Sequence, residues 1–128
     1  MSYYISKFSN VGYDETLQKV EEELKKEGFG VLTEIDVQAT LKKKLDVDFK
    51  KYKILGACNP KLAHRALTSE DKVGVLLPCN VIVEENEDGR IEVSAVNPMV
   101  AMKTVENEAL AEVAELVSEK LQNVINRI

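Results

Sequence analysis

Asn59-Pro60 and Asn97-Pro98 constrain what this chain can fold into more than any other feature. Each pair ends a β-branched, apolar run, residues 52–58 and 90–96, and each supplies the two residue types that open a helix. The Asn side chain accepts from the free backbone N–H groups of a first turn, and Pro, having no N–H to satisfy, tolerates the first helical position. Both pairs therefore predict a strand that turns directly into a helix.

The remaining elements fall around these junctions. Residues 3–8 read as a first strand; Tyr13, Leu17, Val20 and Leu24 then recur at helical spacing, and Gly28 offers a left-handed stop. Residues 29–35 are β-branched and apolar, a second strand. Asp36 is placed to cap a short helix with Val37, Leu41 and Leu45 on one side. After Pro60, Leu62, Ala63, Ala66 and Leu67 carry a third helix. Residues 73–84 read as a long strand with Pro78 inside it, which demands an edge or a bulge. Asp88-Gly89 closes a hairpin onto residues 90–96. Leu110, Val113, Val117, Leu121, Val124 and Ile128 form a stripe at three-and-four spacing on a long C-terminal helix. The order β-α-β-α-β-α-β-β-α mixes hairpin and crossover connections and predicts one α+β domain over residues 1–128.

Composition narrows the function classes. No apolar run approaches a membrane span, and Met1-Ser2-Tyr3-Tyr4 lacks the basic start and apolar stretch of a signal peptide, so a cytoplasmic protein with no membrane partner is expected. A net charge of −5 opposes nucleic-acid binding, which needs a basic footprint. The runs Lys42-Lys43-Lys44 and Lys50-Lys51 are accounted for by a solvated helix face. Glu84-Glu85-Asn86-Glu87-Asp88 lacks the EF-hand ligand spacing and reads as an acidic hairpin tip.

Chemistry concentrates at two Cys-Asn pairs, Cys58-Asn59 and Cys79-Asn80, which hold both cysteines of the chain. Cys58 immediately precedes a helix N-terminus, whose positive end favours a thiolate and makes Cys58 the candidate nucleophile. Free cysteine is also among the most buried residue types, and Cys79 in particular fits a small core hydrophobe. His64 is the sole histidine, so four Cys and His ligands for zinc are not available and a metal would draw on a carboxylate or a second chain. Glu34, on a strand among apolar neighbours, is either paired with a lysine or is a ligand or general base.

Strand alternation assigns faces. Val75, Leu77, Cys79 and Val81 share one, as do Ile54, Gly56 and Cys58, and these are expected to pack against the helices. The opposite face takes Leu32, Glu34, Leu55, Ala57, Leu76, Asn80 and Ile82. A face that apolar predicts a partner, most simply a two-fold homodimer through Leu32, Leu55, Leu76 and Ile82, unless the 98–105 segment covers it.

Residues 28–42 (Gly-Phe-Gly-Val-Leu-Thr-Glu-Ile-Asp-Val-Gln-Ala-Thr-Leu-Lys), Tyr52–Pro60 and Leu76–Val81 together resemble domain-of-unknown-function family 302. The likeness spans nearly the whole chain. It implies a compact bacterial or archaeal α+β domain with a curved, mostly antiparallel sheet and helices on one side, similar in outline to the TATA-binding-protein fold, with no assigned activity. The family's motif cysteines fall on Cys58 and Cys79, with Asn59, Pro60 and Asn80 beside them, and its acidic position falls on Glu34. Asp46 departs from the glycine expected there. The DNA-binding role of that fold outline is not carried over, because the chain is acidic.

Three functions are then in competition. The first is a small-ligand or metal-binding module around Cys58, Asn59, Cys79, Asn80 and Glu34, with zinc or copper(I) held by Cys58, Cys79, His64 and Glu34. The second is an interaction module that dimerises through an apolar sheet face. The third is a thiol enzyme with Cys58 as nucleophile, which is weakened by the lack of a Cys-x-x-Cys motif and of a second histidine.

Overall fold

The computed structural model describes residues 2–128. In chain order the elements are β1 (Tyr4–Ser9), α1 (Tyr13–Lys26), β2 (Gly30–Asp36), α2 (Val37–Leu45), β3 (Tyr52–Cys58), α3 (Pro60–Ser69), a 3-10 helix (Asp71–Leu76), β4 (Cys79–Glu85), β5 (Ile91–Val96), α4 (Pro98–Ala101) and α5 (Glu108–Asn126). The strands form one antiparallel sheet in the order β1-β5-β4-β3-β2. Helices pack on one face only, giving the α+β architecture read from the sequence.

Both Asn-Pro pairs are strand-to-helix junctions. Asn59 accepts from the Leu62 N–H at 3.3 Å and Asn97 from the Met99 N–H at 3.1 Å, with Pro in the first turn of each helix. Each Asn also donates outward: Asn59 to the Glu27 carbonyl beyond α1, and Asn97 to the Ser2 carbonyl before β1. Each cap thereby fixes a helix start to a second, distant segment. Asp36 caps α2 by accepting from Ala39 N–H at 2.9 Å, and Gly28 takes the left-handed conformation (φ 84°) that ends α1.

The core lies between the sheet and helices α1, α3 and α5. Val20 and Leu24 of α1 are wholly buried, and so is the α5 stripe of Leu110, Val113, Leu121 and Val124. Their sheet partners are Leu55, Ala57, Cys79, Val81, Val83, Val93 and Ala95. At the far end, Arg127 pairs with Glu23 (2.5 Å) and Glu27 (2.9 Å), tying the end of α5 to α1. Glu23 also holds Lys26 at 2.7 Å, and hydrogen bonds from Lys26 and Arg127 keep its carboxyl below the usual carboxylate range despite burial.

Two sequence expectations are corrected. Residues 73–84 are not one strand: the first part winds into the 3-10 helix and the strand starts only at Cys79. Pro78 has no N–H for a ladder and the Leu77–Pro78 peptide is cis; upstream of it Val73 is buried while Val75 is 84% exposed, a pattern that a single turn beneath α3 satisfies. The second correction concerns β3. Leu55 and Ala57 face the helices and pair directly with Val81 and Cys79, so Ile54, Gly56 and Cys58 take the opposite parity. Alternation fixes which residues share a face but not which face meets the core, and here both parities of β3 are apolar enough to mislead.

The leucine patch expected to carry a homodimer therefore does not form. Leu55 is core, Leu76 belongs to the 3-10 helix, and Leu32 is the extra residue of a β-bulge between Val31 and Thr33. The 98–105 segment lies with α5 on the helical side: Pro98 and Met102 are buried in the core there. The outer face of the sheet carries no helix.

Candidate functional site

Sequence and fold converge at the end of the sheet where β3 finishes and β4 begins. Cys58 is the last residue of β3, paired with Gly30 of β2, and runs straight into the Asn59 cap of α3. Cys79 is the first residue of β4 and sits opposite Ala57. Although the two cysteines stand at opposite strand parity, both border one cavity of about 320 Å³. Both are free thiols, Cys79 buried and Cys58 half-buried.

The walls are almost entirely apolar. Helix α3 contributes Leu62, Ala63 and Ala66; helix α5 contributes Val113, Ala114 and Val117; Met102 and Phe29 close the floor. Thr33, Leu77 and Pro78 form the sheet-side rim. The alanines are what make the space: three positions facing the sheet carry only a methyl group, where leucine would fill the gap. That signal was present in the sequence as Ala63, Ala66 and Ala114 on the apolar sides of their helices, alongside the larger residues that read simply as core.

Burial pushes the Cys79 thiol up to about 11, and the neighbouring Cys58 acts in the same direction. At neutral pH Cys79 is therefore an uncharged SH group. Asn59 borders the cavity, its oxygen accepting from the Leu62 N–H and its amide nitrogen donating to the Glu27 carbonyl.

The other candidates lie elsewhere. His64 is exposed on α3 and does not line the cavity. Glu34 is exposed on the edge strand β2 and ion-paired with Lys53 at 2.8 Å, its diagonal neighbour across the ladder. Asn80 points to the outer face, opposite Gly56. Among the described residues no group of three or more His, Cys, Asp and Glu gathers where it could hold a metal. Cys58, Cys79, His64 and Glu34 do not converge, because the hand-over from β3 to α3 turns His64 outward and the sheet edge carries Glu34 away. No helix among the described residues is long and apolar enough to cross a membrane.

The fold and this site define a one-sheet α+β protein with an apolar cavity at the sheet end and two thiols on its wall. The family model "Domain of unknown function DUF302" matches residues 5–128, and the chain belongs to that family. A solved structure described as an uncharacterized conserved DUF302 protein from Bacillus stearothermophilus is similar throughout, at 31% identity and a TM-score of 0.93, covering 99% of this chain and 98% of that one. No curated protein matches the chain.

Proposed function

We propose that the chain is a small-ligand-binding module whose site is the cavity beside Cys58 and Cys79, and that the ligand is an uncharged, largely apolar molecule. The observation that carries this reading is the wall itself: about 320 Å³ bounded by aliphatic side chains, with two thiols, the neutral Cys79 among them, as its polar groups. Apolar cavities of about half that size stay dry and bind benzene, so a two-ring aromatic or a hydrocarbon of similar bulk fits here. A charged ligand would meet no counter-charge on these walls and would lose its hydration without return.

The metal reading gains nothing from this geometry, since two thiols without a third ligand fall short of a zinc set. The thiol-enzyme reading wants a base beside Cys58, and the cavity wall offers no imidazole or carboxylate. A cytoplasmic setting suits two cysteines that both act as free thiols, and an acidic chain of net charge −5 suits a partner other than nucleic acid.

The test uses naphthalene as probe. Its addition is expected to raise the melting temperature, shift the methyl resonances of Val113 and Leu62, and slow alkylation of Cys58. The variant Ala63→Leu, at a half-buried wall position, should keep the fold and lose all three effects. Unchanged Cys58 alkylation at saturating naphthalene, or equal binding by the variant, removes the cavity from the account.

A further inference from the structure

The uncovered outer face of the sheet holds a second groove, of about 500 Å³, whose chemistry is the opposite of the first. Tyr52 of β3, Glu84 of β4 and Glu92 of β5 line it as one row that the ladder places side by side, and Phe8 of β1 continues that row outside the groove. Two carboxylates thus stand directly opposite each other across β4–β5, an arrangement that opposes strand pairing, and an aromatic ring flanks each. Tyr3, Tyr4, Ile82 and Ser94 extend the groove.

The chain answers only part of that charge. Lys50 pairs with Glu84 at 2.6 Å and lies 5.8 Å from the Tyr52 ring centre. Arg90 stacks 3.8 Å over Phe8, but its ion pair is with Asp88. Glu92 is different. Half-buried, it accepts from the neutral Ser6 hydroxyl at 2.6 Å and the neutral Asn86 amide at 3.1 Å, and no cation of the described residues pairs with it.

We propose that this groove binds a small organic cation, its positive centre at Glu92 and its carbon body against Tyr4, Tyr52 and Ile82. Cation–π attraction to tyrosine faces and a carboxylate lacking a counter-charge select the same ligand class. An inorganic divalent ion is the poorer match, because the groove offers two carboxylates, one already holding Lys50, among rings and aliphatic carbons. A second copy of the chain is also a poorer occupant, since two such faces meeting would press carboxylates on carboxylates in a protein already at −5. The two grooves lie on opposite faces, so this site stands independently of the apolar cavity.

Choline and its neutral isostere 3,3-dimethyl-1-butanol separate shape from charge. Titrated into ¹⁵N-labelled protein, choline should shift amides of β4 and β5 around Glu84 and Glu92, and the isostere should not. Glu92→Gln keeps an oxygen to accept from the Asn86 amide, can donate its own N–H to the Ser6 hydroxyl, and relieves the repulsion from Glu84. It should therefore fold at least as stably while weakening choline about tenfold. Ala63→Leu should leave choline binding unchanged. Equal shifts with both probes, no shifts at all, undiminished binding by Glu92→Gln, or sedimentation as a dimer that protects β1 and β5 amides would each overturn the proposal.

Discussion

Thr33 stands opposite Gly56 across the β2–β3 ladder, and its hydroxyl occupies the space that a Cβ on residue 56 would need. Pro78 closes the same space, its Cγ 2.9 Å from that position. The bulge at Leu32, the bare backbone at Gly56 and the proline before β4 thus form one unit that brings three strands together at the rim of the apolar cavity. Gly56→Ala should destabilise the fold by about 1–3 kcal/mol through overpacking, read as a lower urea midpoint. Adding Thr33→Gly should recover part of that loss; no recovery would show that Pro78 alone sets the limit.

Asp46 ends α2 in the left-handed region, φ 52° and ψ 38°, where a side chain is strained and glycine is not. Its ion pair with Lys42 is solvent-exposed and contributes little. Asp46→Gly should therefore raise stability by about 0.5–1 kcal/mol, a rise in melting temperature that Asp46→Ala, still strained, should not reproduce.

Asn59 acts twice, capping α3 and holding the carbonyl of Glu27. Asn59→Ala should cost about 1–2 kcal/mol. Asn59→Asp keeps the cap but cannot donate to Glu27, so its loss should be intermediate if the two bonds contribute separately. Hydrogen exchange at Leu62 and Ala63 reports the cap directly.

The two thiols should separate by reactivity. At pH 7 Cys58 should alkylate and Cys79 should resist until the protein opens. The sign of the pH effect follows from the raised pKa: between the ordinary thiol value of 9.0 and about 11 the folded protein keeps a proton that the unfolded chain has released. Stability from Cys79 is thus intact below pH 9 and falls as the pH rises towards 11, by about 2 kcal/mol at the upper end. The comparison is with Cys79→Ala, whose stability should lack that alkaline loss; parallel curves for the two proteins would count against a buried neutral thiol.

Local punctuation was legible from the residues alone. Asn59-Pro60, Asn97-Pro98, Asp36, Gly28 and Asp88-Gly89 each cap or turn the chain through atoms within a few positions of themselves; the second bonds of Asn59 and Asn97, to the distant Glu27 and Ser2 carbonyls, left no such mark. The α5 stripe was legible for a related reason: nineteen residues of helix repeat one apolar face often enough that no other period fits. Where the reading went astray, the signal was short and doubly apolar. Val73 to Leu77 has the composition of a strand, yet the missing N–H of Pro78 and the burial of Val73 alone favour a turn.

What the chain's order of residues determined, then, is everything set by nearest neighbours along it: most of the elements, their caps, the likeness to a family and the place of Cys58 at a strand end. Which side of β3 meets the core was decided by the ladder with β4, through the pairs Leu55–Val81 and Ala57–Cys79. Tertiary packing likewise chose that alanines of two distant helices leave a cavity beside Cys79, that His64 and Glu34 stay outside it, and that Tyr52, Glu84, Glu92 and Phe8 line up across four strands. These are relations between residues far apart in the chain, fixed by hydrogen-bond register and side-chain volume, and no local pattern encodes them.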